Sequence, residues 1–320
     1  RTTSSAASDV YKRQINGEAA VSGGAATYQI PINIPPGRRG MQPNIALNYH
    51  SRSGNGTVGM GWSLSVGSSI HRCPQTAAQD GRTLGVSYQN TDRLCLDGQR
   101  LMRVNAGSYW DDGGVFRTEI DQFVQVRLIG SQGGTSGQQV HFEVRTRDNK
   151  IRFYGYGAGA RVEPLGPQDV VSAWLLSEEQ DPQGNRIDYV YTSHGQGEHL
   201  IARIDYTGFG AAAGSRRVSF DYKDRCIAGH CDDSESWSTG GYQTQQTRRL
   251  NRIRTCIDKA QCDDVNHAGI VRDYHLNYQM SNASGRLLLS DVQECAWLEG
   301  SVTCLPKTEF TWGDEQAQYS

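Results

Sequence analysis

The sequence has no apolar run approaching the roughly 20 residues that a membrane-crossing helix requires, so no direct helical membrane span is expected. It also lacks charge of one dominant sign. Lys+Arg 32 against Asp+Glu 34 leaves a formal net charge of -2, which removes the field that draws a chain to nucleic acid. Arg38-Arg39, Arg216-Arg217 and Arg248-Arg249 are isolated pairs, too sparse for a nucleic-acid stripe. There is no Gly-x-Ser-x-Gly elbow, no His-Glu-x-x-His pair and no P-loop, and the histidines are scattered. Methionine is scarce and absent before Met41, so neither the natural start nor an export signal is visible.

What is present is alternation broken by turn residues. Tyr28, Ile30, Ile32 and Ile34 recur with a period of two, as do Ile45, Leu47 and Tyr49, which puts each set on one face of a half-buried strand. Pro35-Pro36-Gly37 stops the first run, because neither ring nitrogen can donate to a ladder. The stretch Gly54-Asn-Gly56-Thr-Val-Gly59 matches a dinucleotide fingerprint by letter, but Met60 to Val66 alternates as a strand where that fingerprint needs a helix. No cofactor is expected there. Val140 to Arg147 and Lys150 to Gly155 flank Asp148-Asn149, predicting a hairpin with a two-residue type I′ turn. Ala173 to Asp181 meets Arg186 to Tyr191 across Pro182-Gln-Gly-Asn185, predicting another. A helix over Val170 to Gln180 is rejected because the following turn and strand need an antiparallel partner.

Three further hairpins share a plan. Their first strands are Ile201-Ala-Arg-Ile204, Leu250-Asn-Arg-Ile253 and Leu289-Ser-Asp-Val292; their second strands end Phe220-Asp-Tyr222, Leu276-Asn-Tyr278 and Phe310-Thr-Trp312. Such units cannot bury an apolar face alone and must stack on neighbours. The fold class expected is all-β: a compact N-terminal β region followed by a coiling, solenoid-like antiparallel sheet.

The eight cysteines are Cys73, Cys95, Cys226, Cys231, Cys256, Cys262, Cys295 and Cys304. An even count allows about 105 full pairings. Proximity and the expected strand pairings favour Cys73 with Cys95, Cys226 with Cys231, Cys256 with Cys262 and Cys295 with Cys304. The Cys73 bridge would contribute roughly 3 kcal/mol through chain entropy and would persist only in an oxidising compartment. The rival reading is a zinc site from Cys226, Cys231, Cys256 and Cys262 with His230 or His267, whose spacings exceed the usual knuckle. No metal is assigned.

The residues Tyr28-Gln-Ile-Pro-Ile, Ile34-Pro-Pro-Gly, Pro43 to Tyr49, Gly59-Met-Gly-Trp62, Ile70-His-Arg-Cys73 and Asp92-Arg-Leu-Cys-Leu-Asp-Gly98 together resemble one known family. It is that of the N-terminal domain of the Salmonella virulence plasmid B protein, which also opens the B component of insecticidal Tc toxin complexes and related Rhs/YD-repeat proteins. Asp181 to Tyr191 is similar to a single YD repeat. The resemblance covers about Asn16 to the C-terminus. It implies a non-catalytic part of a secreted or surface-exposed bacterial shell that encloses a C-terminal toxin. The implied partners are downstream shell, propeller and toxin segments or a C component, with a toxin A component possible. Some family members carry an ADP-ribosyltransferase with a Glu-x-Glu pair; none occurs here, so that activity is not carried over.

The expected organisation has three parts. Residues 1–14 look like translated sequencing-adapter read-through, 15–165 form the compact β region, and 166–320 form the hairpin-repeat segment, truncated after Phe310-Thr-Trp312. No catalytic residue is assigned, since the carboxylate doublets Asp111-Asp112, Glu178-Glu179, Asp232-Asp233 and Asp263-Asp264 point apart or sit in loops. The acidic loops lack the regular spacing of a calcium site. An alternative from another class is an extracellular carbohydrate- or surface-binding module using Tyr109-Trp110 and Trp237.

Overall fold

The computed structural model describes residues 15–130, 140–227, 229, 233–262, 269–298 and 301–313. Within them the chain is almost entirely antiparallel β. A first sheet runs in the order Glu18–Ser22, Ala25–Pro31, Ala46–His50, Trp62–Ser65. The first predicted strand ends at Pro31, yet the extended backbone continues, keeping Ile32 buried and Ile34 half-buried. Prolines 35 and 36 deny this segment a ladder, and tyrosines replace it. Tyr274 Oη accepts from the Asn33 N–H at 3.0 Å, and Tyr206 donates to the Pro35 carbonyl at 2.8 Å.

The main sheet closes on itself as a barrel. Strands Ser69–Cys73, Arg93–Leu96, Gln99–Arg103, Val115–Thr118, Gln125–Ile129, His141–Arg145 and Ile151–Tyr154 pair in succession, and Ile151–Tyr154 pairs with Ala173–Gln180. The other half of Ala173–Gln180 returns to the start, with Ala173 opposite His71, Trp174 opposite Ile70 and Leu175 opposite Ser69. From the same strand the sheet continues through Asn185–Ser193, His199–Phe209, Arg216–Asp224, Arg248–Cys256, Ile270–Met280 and Leu287–Leu298. The coiling antiparallel sheet is thus present, with a closed barrel at its N-terminal end. Gly166 falls in the connection 163–172, and the strands on either side of it pair through Arg161 and Trp174.

One apolar cluster runs through all three parts, from Ile30, Leu47 and Trp62 through Phe116, Phe142 and Trp174 to Ile204, Ile253 and Val292. The Gly54 to Gly59 stretch is a short hairpin, Asn55–Gly56 with Gly59–Met60, pressed against the continuing sheet. Gly59 has φ +90°, and a Cβ there would stand 2.7 Å from the Leu287 carbonyl oxygen, so close approach as well as backbone conformation requires glycine.

The hairpin at Asp148-Asn149 forms, but its turn differs from the type I′ expectation. The Asn149 N–H donates to Thr146 O and the Thr146 N–H to Lys150 O, both at 3.0 Å, and only Asn149 takes positive φ, at 59°. This is a type I turn followed by a left-handed residue, a three-residue loop. The Pro182 turn repeats the geometry, with Gly184 N–H to Asp181 O and Asp181 N–H to Asn185 O at 3.0 Å and Gly184 at φ 86°. Proline at the second turn position fixes φ for type I, and glycine supplies the left-handed residue.

Candidate functional site

The closure of the barrel buries an ion pair. Ile70 points inward, and a period of two therefore carries Arg72 inward as well. Its guanidinium Nε donates to Val171 O at 2.7 Å, and Nη1 donates to Asp92 Oδ2 at 3.1 Å and Gln89 O at 3.3 Å. Both side chains are about 1% exposed. Asp92 Oδ1 also accepts from the Ser87 N–H and hydroxyl. Trp110 lies 4.7 Å beneath the cation, with Tyr88 and Trp174 at 5.7 and 5.9 Å. Burial lowers the affinity of Arg72 for its proton, and Asp92 opposes that. The aromatic faces and the carboxylate together keep a charge inside the wall.

A second buried pair, Arg225 with Asp233, fixes the glycine hairpin. Arg225 donates to Gly56 O at 2.8 Å and to Asn55 Oδ1 at 2.7 Å, and Asp233 also accepts from Asn55 Nδ2 at 2.8 Å. Asp80 joins Arg93 and Arg100, and Glu179 joins Arg152 and Lys150. On Asp80, burial acts to raise the pKa, but the Thr76 N–H and both guanidiniums outweigh it and hold the carboxyl below its ordinary range.

The continuing sheet has two unlike faces. Ile204, Tyr206, Phe220, Ile253 and Tyr274 face the core. The other face carries a lattice of alternating charge, with Arg217 bidentate on Asp205 at 2.7 and 3.0 Å and Arg252 and Arg254 sharing Asp221 at 2.9 and 2.7 Å. Burial raises the Asp273 pKa against the pull of His275, Arg252 and Arg254. Asp80, Asp92, Glu179, Asp205 and Asp233 are each paired with arginine, an arrangement that suits a wall. Separately, Tyr28, Tyr49, Trp62, Phe310 and Trp312 line a cavity of about 320 Å³ between the first sheet and the last strands.

Disulfides join Cys73 to Cys95, Cys256 to Cys262 and Cys295 to Cys304. Cys226 is also disulfide-bonded, while Cys231, His230 and His267 lie outside the described residues. With Cys256 and Cys262 joined to each other, the zinc alternative loses those two ligands. The expectation that Trp110 meets a ligand at the surface is overturned: it is 5% exposed and donates its indole N–H to Asp92 O at 3.0 Å. Tyr109 is also inside, its hydroxyl accepting from Leu94 N and donating to Leu101 O. Burial pushes its pKa up to about 12. Trp237, 48% exposed on the hairpin Glu235–Thr239 with Tyr242–Gln246, is a surface residue. Arg72, Asp92, Arg225 and Asp233 were not singled out as site residues from the sequence. The available signal was Arg72 in phase with Ile70.

Residues 20–110 and 114–205 match the family described as Salmonella virulence plasmid 65kDa B protein, and the chain belongs to that family. Among curated relatives it is similar to the mono(ADP-ribosyl)transferase SpvB of Salmonella typhimurium strain 14028s, 26% identical over an alignment of 188 residues, with 52% of this chain and 30% of that protein covered. SpvB of Salmonella enteritidis is 26% identical over 181 residues, with the same shares of each chain. The chain therefore spans under a third of these relatives. Among solved structures it is similar to TcdB2-TccC3, with a TM-score of 0.74, 19% identity and coverage of 93% of this chain and 17% of that one. The Tc holotoxin pore of Photorhabdus luminescens gives a TM-score of 0.74 at 19% identity over 93% of this chain and 16% of that one. The N-terminal domain of SpvB from Salmonella typhimurium strain LT2 gives 0.66 at 17% identity, with 84% and 99% of the two chains covered.

Proposed function

We propose that this chain is a non-catalytic wall segment of a bacterial toxin shell, contributing a β enclosure around a C-terminal toxic polypeptide. The observation that carries the reading is the sheet itself, which closes at one end and extends from Ala173–Gln180 as a wall with one apolar and one charge-paired face. Pairing within such a wall satisfies the backbone internally. The pairing of Asp92, Glu179 and Asp233 with arginine supports a structural role. Partners in this reading are further shell, propeller and toxin segments of the same polypeptide or a C component, and a toxin A component. The disulfides fit a secreted or surface location.

The test is limited proteolysis of the full-length gene product. The toxic C-terminal polypeptide should resist cleavage in the intact protein and become sensitive once the wall is unfolded by mild denaturant. Equal cleavage before and after would remove the enclosure reading. Transfer of ADP-ribose by the present chain alone would remove the non-catalytic one.

A further inference from the structure

Among the described residues, His71, Cys73 and Cys95 place a ring nitrogen and two sulfurs within 4.8 Å of one another. Strand pairing gathers them on one face, with His71 directly opposite Cys95 and Cys73 two residues further along. Two sulfurs and an imidazole are donors that zinc accepts, and tetrahedral Zn–S bonds of about 2.3 Å need the two sulfurs roughly 3.8 Å apart, a separation open to them only once the bond between them is broken. In the oxidised structure the two sulfurs are joined to each other. The register also sets a cation beside each cysteine, Arg93 opposite Cys73 and Arg100 opposite Cys95. Both guanidiniums are paired with Asp80.

We propose that His71, Cys73 and Cys95 form a zinc site that exists only after reduction of the Cys73–Cys95 bond. A cellular dithiol supplies two electrons and two protons: its thiolate attacks one sulfur, its second thiol resolves the mixed disulfide, and two cysteine thiols result. Zinc then displaces the thiol protons and takes two thiolates, the imidazole of His71 and one water. The metal replaces the disulfide as the staple on Ser69–Cys73, the strand that closes the barrel. A wall locked in an oxidising compartment by one cross-link is held in a reducing one by another.

The experiment uses native protein treated with a phosphine reductant, with and without zinc ion, alkylated and mapped by peptide mass. Zinc should slow alkylation of Cys73 and Cys95 by at least about tenfold, and His71→Ala should abolish that protection while leaving the other cysteines as they were. Far-UV circular dichroism of the reduced wild type and variant checks that the sheet persists. The proposal fails if zinc leaves Cys73 and Cys95 equally reactive, if the reduced chain unfolds and binds zinc without preference for these positions, or if His71→Ala is protected as well as wild type.

Discussion

At the scale of single residues, the molecule is defined by charges placed where apolar side chains would serve. Arg72 and Asp92 are both buried, and removing one partner strands the other. Arg72→Ala is expected to cost about 3–5 kcal/mol in denaturant unfolding, and Arg72→Ala with Asp92→Ala much less than the sum of the two single changes. Additive costs would show that the pair does not act as a unit. Asp181 has a different role, accepting from the N–H groups of Gln183 and Asn185 at 2.9 and 2.8 Å. Burial acts to raise its pKa, but Asn185 and the turn amides overcome this and depress it. A depressed carboxyl stabilises above its unfolded value of about 3.9 and loses that contribution as pH falls through the folded value. Asp181→Ala should therefore cost about 1 kcal/mol at neutral pH, and the gap to wild type should narrow below about pH 4 in thermal melts.

At the scale of elements, the repeated hairpins conceal an irregularity that the sequence spells out. Ile201 and Ile204, Leu250 and Ile253, and Leu289 and Val292 are all buried although each pair is three residues apart. A regular strand would turn one of each pair outward. The structure resolves this with an extra residue in each first strand: the register jumps from Arg203 to Ile201, from Arg252 to Leu250 and from Asp291 to Leu289, leaving Ala202, Asn251 and Ser290 as bulges. Two of the carbonyls beside these bulges are taken by rings from further along the chain, Leu250 O by Tyr278 Oη and Leu289 O by Trp312 Nε1, at 2.5 and 2.8 Å. Deleting Asn251 should drive Leu250 to the charged face and cost at least about 2 kcal/mol, while Asn251→Ala stays within about 0.5 kcal/mol. Equal melting temperatures for deletion and wild type would mean that the bulge carries no register information.

At the scale of the whole molecule, one apolar cluster links the first sheet, the barrel and the continuing wall. A shared core predicts a single cooperative unfolding transition, coincident by tryptophan fluorescence and circular dichroism. Two transitions, with a stable proteolytic fragment ending near residue 166, would instead divide the chain there. The barrel also explains why the strand Ala173–Gln180 tolerates Glu179 in a buried position. At that point it leaves its partner in the closing strand and lies between Arg152 and the next hairpin, where a cation is at hand.

By itself the sequence determined which faces are apolar, where most turns fall and that the chain is antiparallel β, because those properties follow from a period of two and from the φ restrictions of proline and glycine over a few neighbouring residues. Only the tertiary structure decided that His71 meets Ala173 to close the barrel, that Trp110 is a floor for Arg72 rather than a surface contact, and that the proline segment is bonded by distant tyrosines. Those contacts join residues tens to more than a hundred positions apart, and local preferences contain no term for which distant strand a free edge will find.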